Sequence, residues 1–327
     1  MDIGDARGRV QSRAEILAGG TTERELRRLI TSGEIHRVRT GFYVGARGWT
    51  GIHVEDRHLI QVVAADAARR DGEVVFVGVS AAVAHRLPLF RVTPEYVHVA
   101  GPRTDAVARP KAGLAHHGVS LPDEDKVVID GLPCSSLSRT VVDLARTLPR
   151  EAAIAAADAA LRHVAWDARA RCYDSEAADD FRRGLLNRLS KAAGARGIRQ
   201  ARFVAAFADG RAQLPGESVS RLLLNDLGFA PPRLQVPFAG PDGEAWAIDF
   251  GLDDVGAWGE FDGKSKYTDA AFLAGRTPEQ ALLEEKYRED WIRGRSNRRF
   301  ARWEMSHIAS AAALRQRLAA FHIHAPA

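Results

Sequence analysis

Two apolar runs near the C-terminal end, AWAIDFGL (245–252) and AWGEFDG (257–263), carry carboxylates inside a strand-like pattern. Alternation puts Ile248 and Phe250 on one side of the first run and Asp249 on the other; in the second, Glu260 and Asp262 share a side with Trp258. The spacer Asp253-Asp254-Val255-Gly256 is a turn sequence, and a turn centred on Asp254-Val255 places Asp249 directly across from Glu260. Like charges facing each other destabilise a sheet, and one of them titrates upward unless a cation stands between. Taken alone, Glu217 is a first-turn acid of the kind the helix dipole favours: Pro215 suits the first helical position, Val219, Leu222, Leu223 and Leu227 form an apolar face, and Gly228 stops the helix. Three acids arriving by separate routes point instead to a divalent ion, Mg²⁺ or Mn²⁺, held by Glu217, Asp249 and Glu260 with waters and phosphate oxygens. The chemistry expected of such a site is metal-assisted phosphodiester cleavage: a water is activated, charge on phosphorus is stabilised, and a nearby lysine orients or deprotonates the nucleophile.

A second organised region lies near the N-terminus. Residues Ala14 to Ala46 are expected to form helix, turn, helix and hairpin. Thr22 and Glu25 have capping-box spacing, Leu26, Leu29 and Ile30 recur at helical spacing, and Gly33 ends the helix. The segment EIHRVRTGFYVG (34–45) alternates and turns at Thr40-Gly41, as a two-stranded wing would. The sum is a winged helix, with Arg24, Arg27 and Arg28 available to a duplex and Arg37 and Arg39 on the wing. A solvated charged helix and hairpin is the plain alternative. The C-terminal run of Lys286, Arg288, Arg293, Arg295, Arg298, Arg299 and Arg302, interleaved with Trp291, Phe300 and Trp303, reads in the same two ways: a phosphate-tracking surface, in which Arg293 and Arg299 would contact DNA, or a helix paired through its own charges.

Two resemblances sharpen these expectations. Glu217, then Ile248-Asp249-Phe250, then Glu260-Phe261-Asp262-Gly263, followed by EEKYREDWIRG (284–294) and RRFARWEM (298–305), resembles the very-short-patch-repair-like branch of the PD-(D/E)XK nuclease superfamily over roughly residues 210–306. The resemblance implies a restriction-endonuclease-like α/β/α domain, metal-binding carboxylates at Asp249 and Glu260, a helix-borne acid at Glu217, and a supporting polar group at Gln235. Where that superfamily usually has lysine, two residues after the second acid, this chain has Asp262, so Lys264, Lys266 or Lys286 would have to replace it. The front of the chain, with GFYVG (41–45), AAVAHRLPL (81–89), YVHVAG (96–101) and GLPCSSLSRTVVDLA (131–145), is similar to AbiEi-type antitoxins of type IV toxin-antitoxin systems. That likeness implies operator binding through the winged helix, repression of the operon, and a nucleotidyltransferase toxin as partner.

Length and composition accommodate this. The 327 residues, 46% hydrophobic and 27% charged, suit two or three folded units. The expected division of this α+β multidomain chain is a winged helix at 1–50, an antitoxin-like α/β domain at 51–150, a helical linker region at 151–209, the nuclease-like domain at 210–310, and a C-terminal helix and tail at 311–327. Lys plus Arg at 46 against Asp plus Glu at 42 leaves +4, concentrated near both ends. The two cysteines, Cys134 and Cys172, lack metal-ligand spacing. Ser135, Ser136 and Ser138 precede an amphipathic helix and are expected to cap it, and His85, His98, His116 and His117 are assigned to packing or surface. No run approaches the roughly 20 apolar residues of a membrane span, and the first residues lack an apolar signal core, so a cytoplasmic location is expected. The functional expectation is a DNA-binding, antitoxin-like protein with a metal-dependent nuclease-fold domain, acting in regulation or phage defence. The alternative is a non-catalytic autorepressor with a degenerate nuclease fold.

Overall fold

The computed structural model describes residues 1–69, 74–101, 113–119, 121–170, 172–263 and 277–326. Among them are twelve α-helices and four β-sheets, an α+β architecture. The chain packs into two compact units, Met1–Ala160 with Asp179–Phe207, and Leu161–Ala178 with Ala208–Ala327. Segments 1–50 and 51–150 therefore lie in the first unit, and 151–209 is shared between the two. No helix among the described residues is long and apolar enough to cross a membrane.

The first unit begins with α1 (Ile3–Arg9), β1 (Gln11–Ser12), α2 (Arg13–Ala18), α3 (Glu23–Thr31), β2 (Ile35–Arg39) and β3 (Phe42–Gly45). Short polar side chains start each helix. Asp2 with Asp5 and Ser12 with Glu15 form reciprocal capping boxes, and Thr22 accepts from the Glu25 amide at 3.2 Å. Gly33 and Gly41 take left-handed φ values of +77° and +82°, the first just past α3 and the second in the wing turn. Ile16, Leu26 and Tyr43 form the local core with Ile30 and Ile35 packed against it. Because the apolar stripe of α3 faces that core, Arg24, Arg27 and Arg28 remain exposed, as does Arg37, while Arg39 is half-buried.

The unit continues with α4 (Val54–Ala67), β4 (Val75–Phe76), α5 (Gly78–Ala84), β5 (Val97–Ala100), β6 (Leu114–His117), β7 (Lys126–Ile129), β8 (Leu132–Ser135), α6 (Leu137–Thr147) and α9 (Ile198–Phe207), together with α7 (Arg150–Ala165) up to Ala160 and α8 (Ser175–Lys191) from Asp179, the rest of these two helices belonging to the second unit. The five strands run in the order β6-β5-β4-β8-β7, and Ser136 caps α6 through the Arg139 amide. Parallel pairing of β5 with β6 brings together histidines that are distant in sequence: His98 Nδ1 and His117 Nε2 lie 3.0 Å apart. His58, fully buried, bonds Ser80 Oγ at 2.9 Å and Gln61 Oε1 at 3.0 Å, and Ser80 Oγ accepts the His98 amide. Burial pushes His58 and His98 down to about 4.

The second unit contains a two-stranded ribbon, β9 (Trp166–Asp167) with β10 (Cys172–Tyr173), and then α10 (Pro215–Asp226), β11 (Arg233–Ala239), β12 (Ala245–Leu252), β13 (Ala257–Asp262), α11 (Pro278–Arg295), β14 (Arg299–Glu304) and α12 (Ala311–Ala319). The sheet order is β11-β12-β13-β14. The first three strands are antiparallel hairpin neighbours; β14 joins β13 in parallel, which requires a crossover, and α11 supplies it. Alternate residues of β13 face different helices. Phe261 packs against Gly216 of α10, and its neighbour Trp303 donates to Ser220 Oγ at 2.8 Å. On the other face, Trp258 donates to Ser296 Oγ at 3.0 Å, just beyond α11, and clusters with Val236, Ile248, Ile292 and Phe300. The sheet is thus covered by α10 on one side and α11 on the other.

Two measurements check this packing. An unfolded histidine titrates near 6.5, so the neutral, buried His58 contributes stability above that pH and loses it as pH falls toward about 4. Between those values His58→Gln is expected to flatten the pH dependence of the urea midpoint relative to wild type; an unchanged slope refutes the assignment. A Cβ on Gly216 would lie 2.1 Å from the Phe261 ring. Gly216→Ala should therefore cost about 1–3 kcal/mol in urea unfolding, as overpacked cores do.

Candidate functional site

The β12–β13 ladder pairs Phe250 with Gly259, Gly251 with Trp258 and Leu252 with Ala257, the register expected from the sequence. A 3₁₀ turn over Asp253–Val255 closes it, and Gly256 takes φ +60°. One step beyond the Phe250–Gly259 pair, the Asp249 side chain takes the next backbone donor: its Oδ2 accepts the Phe261 amide at 2.9 Å. Oδ1 accepts from Gln235 Nε2 at 3.2 Å. Gln235 lies on β11 with φ +49°, a left-handed conformation inside a strand, where residues other than glycine, asparagine and aspartate are uncommon. The same Nε2 donates at 3.1 Å to Oε2 of Glu217, which is 3% exposed in the first turn of α10. That oxygen also accepts the Gln213 amide at 2.9 Å, and Gln213 Nε2 donates to Gln235 Oε1 at 2.9 Å. One glutamine amide therefore gathers an acid from a helix and an acid from a strand.

Glu260 has different company. It is 5% exposed on β13. Its Oε1 accepts from Arg288 Nη2 at 2.6 Å, and its Oε2 from Arg302 Nη2 at 2.9 Å. Arg302 is there because the parallel β13–β14 register sets it beside Glu260. Arg288 comes from α11, where it also donates to the Ala247 carbonyl at 2.6 Å and to Glu285 at 3.2 Å. Arg302 further pairs with Glu285 at 2.5 Å and Glu289 at 3.6 Å. Burial by itself would lower the pKa of Arg288; its hydrogen bond to Glu260 and the charges of Glu260, Glu285 and Asp249 raise it. The positive charge that a buried Glu260 demands is thus supplied by guanidinium groups.

The remaining expected residues are spread around this centre. Asp262 is half-buried on β13 with Glu304 as its β14 partner. Lys286 is exposed on α11, and Lys264 and Lys266 lie outside the described residues. Arg293 pairs with Glu289 at 2.8 Å and donates to the Phe300 carbonyl at 3.0 Å; Arg298 pairs with Asp253 at 2.5 Å; Arg299 is exposed. Much of the basic run therefore neutralises acids of its own domain. One charge outside the expected set also bears on the site: Arg162 of α7 feels Glu217, which opposes the lowering of its pKa by burial. The sequence held one unused signal. Arg302 sits inside Phe300-Ala301-Arg302-Trp303, a charge in an apolar strand that needs a partner as much as Asp249 does.

As donors for an ion, Glu217 and Asp249 fit: they are hard oxygen ligands meeting at one amide, of the kind Mg²⁺ and Mn²⁺ take with water. Glu260 is the poorer ligand, because each of its oxygens already accepts from a guanidinium cation, which brings the positive charge an ion would supply. Among the described residues no group of three or more His, Cys, Asp or Glu side chains is arranged to hold a metal.

No family model matches the chain. Two uncharacterized proteins of Mycobacterium tuberculosis, MT2308 of strain CDC 1551 / Oshkosh and Rv2248 of strain ATCC 25618 / H37Rv, are each 36% identical to it over 157 residues, 47% of this chain. The match spans 51% of each relative, so about half of their length is represented here.

If the Gln235 amide is what draws the two acids together, removing it leaves both short of a donor in a partly buried place. Gln235→Leu should lower stability by about 1–3 kcal/mol in urea unfolding, the cost of unsatisfied buried polar groups. An unchanged midpoint would show that the amide contributes nothing there.

Proposed function

We propose that this is a DNA-binding protein of antitoxin-like architecture whose second unit acts on DNA phosphodiesters with a divalent ion, in regulation or defence. The observation that carries the reading is the convergence of Glu217 and Asp249 on Gln235. It is supported by the layering of α10 and α11 on a sheet whose last strand returns in parallel, which is compatible with a restriction-endonuclease-like domain. In this reading Glu217 and Asp249 hold Mg²⁺ or Mn²⁺, which when bound supplies Lewis-acid activation of water and charge stabilisation at phosphorus. Gln235 holds the two carboxylates at a common point, and the Phe261 amide fixes the orientation of Asp249. The first unit would bring the duplex: α3 offers Arg24, Arg27 and Arg28, and the wing offers Arg37 and Arg39. A DNA target implies action in the cytoplasm.

A second reading is favoured by a specific observation. With Glu260 held by Arg288 and Arg302, and Asp262 where a lysine is usual, the second unit would be a non-catalytic module. The protein would then be an autorepressor and antitoxin of a type IV system, with a nucleotidyltransferase toxin as partner. A cleavage assay on supercoiled, linear and single-stranded DNA, with and without Mg²⁺ or Mn²⁺, separates the two. Under the first reading cutting needs the ion and disappears in Asp249→Ala, while DNA binding persists. Under the second there is no cutting. In both, the Arg27→Ala, Arg28→Ala double variant weakens binding and lowers its salt dependence, by a slope of about 0.9 for each phosphate that is no longer neutralised; unaltered binding would remove the winged helix from the DNA interface.

A further inference from the structure

The acids of the second unit fall into two groups according to the partner each has found. Glu217 and Asp249 share a neutral amide; Glu260 is bracketed by two full positive charges. We propose that Glu260 is not a metal ligand, and that Arg288, braced by Arg302, is a built-in cation that gives Glu260 the positive charge an ion would otherwise bring, so that a divalent ion is confined to Glu217 and Asp249. For the ion itself this deepens the nuclease reading and rests on it. The cationic clamp on Glu260 does not.

Three features carry the inference. First, both oxygens of Glu260 are engaged by cations: it accepts at 2.6 Å and 2.9 Å, one oxygen to each guanidinium, and is almost wholly buried. Turning it toward an ion would strip two half-buried arginines of their central partner, which is costly for charges already withdrawn from water. Second, the arginines are fixed independently of Glu260. Arg288 reaches the Ala247 carbonyl and Glu285, and Arg302 reaches Glu285 and Glu289, so the positive charge stays in place. Third, an arginine does not lose its proton under any ordinary condition, unlike a lysine. Arg288 is a permanent charge within electrostatic range of Asp249, as well as bonded to Glu260, and repels a dication that approaches Glu260. It is also unsuited to deprotonating a nucleophile, which removes it as a substitute for the superfamily's lysine in that role.

The test is Mn²⁺ binding to the full chain, followed by calorimetry and by the EPR signal of free Mn²⁺, with thermal unfolding as the check on folding. Glu260→Gln should leave the Kd for Mn²⁺ within about threefold of wild type, whereas Asp249→Asn should weaken it by about tenfold or more, the scale expected for loss of a ligand or its immediate support. Arg288→Met should tighten Mn²⁺ binding, because Glu260 then loses a cation and Asp249 a nearby positive charge. The gain should vanish in Arg288→Met combined with Glu260→Gln, and should be absent in Arg288→Lys. A Glu260→Gln variant that loses Mn²⁺ as fully as Asp249→Asn overturns the proposal, as does a folded Arg288→Met with unchanged affinity. If Arg288→Met does not fold, the comparison of Glu260→Gln with Asp249→Asn decides alone. If the wild type binds no Mn²⁺, the nuclease reading falls, and the clamp is then upheld by a Glu260-dependent Mn²⁺ site appearing in Arg288→Met and refuted by its failure to appear.

Discussion

A carboxylate on a strand covered by helices on both faces must be given positive charge or be neutralised, since a bare buried anion is far too costly. Glu260 receives that charge from two directions, and the construction of the second unit follows from how it does so. Arg302 reaches it because β14 runs parallel to β13, and a parallel neighbour demands the crossover that α11 provides. Arg288 then reaches it from α11 itself, so the helix is tied to the sheet at the level of the acid. The packing of Ile292 with Trp258, Ile248, Val236 and Phe300 sets the same helix face against the same strands. Electrostatics and apolar packing therefore specify one position for α11, and each would be frustrated in another.

The other two acids meet under weaker forces. Gln235 donates to both from a strand position held in a left-handed conformation, and Gln213 braces the arrangement, its side chain donating to Gln235 and its backbone amide to Glu217. The Gln235 amide is a neutral donor to both, unlike the guanidinium groups that hold Glu260. The division of three carboxylates between one held by two guanidinium groups and a pair joined through one glutamine amide is the main chemical feature of this domain. It explains how a sheet can carry so many acids without tearing itself apart.

The first unit solves a simpler problem. Leu26, Ile30 and Ile16 are small in number, yet they suffice to orient α3 because Tyr43 and Ile35 of the wing close over them. The arginines of α3 are left outward as the remainder of an amphipathic helix. Farther along, histidines that look scattered in the chain meet across adjacent parallel strands, and burial lowers the pKa of His98 to about 4.

What was legible in the sequence is what short-range geometry dictates. The start of α10 at Pro215, the stop after Leu227, the Thr22 cap, the wing turn at Gly41 and the β12–β13 register all follow from contacts within a few residues, where local sterics and hydrogen bonds decide. The same local rules led to the expectation that Asp249 and Glu260 lie close together and need a cation. They could not say which cation, because Arg302 is set by a parallel pairing and Arg288 by a helix that returns across the sheet, both long-range choices made by packing. Nor could they show that Gln235, rather than Glu260, joins Glu217 to Asp249. Local sequence determined where the charges would be; only the closing of the sheet and its helices decided which of them would satisfy each other, since that depends on distances the chain acquires after it has folded.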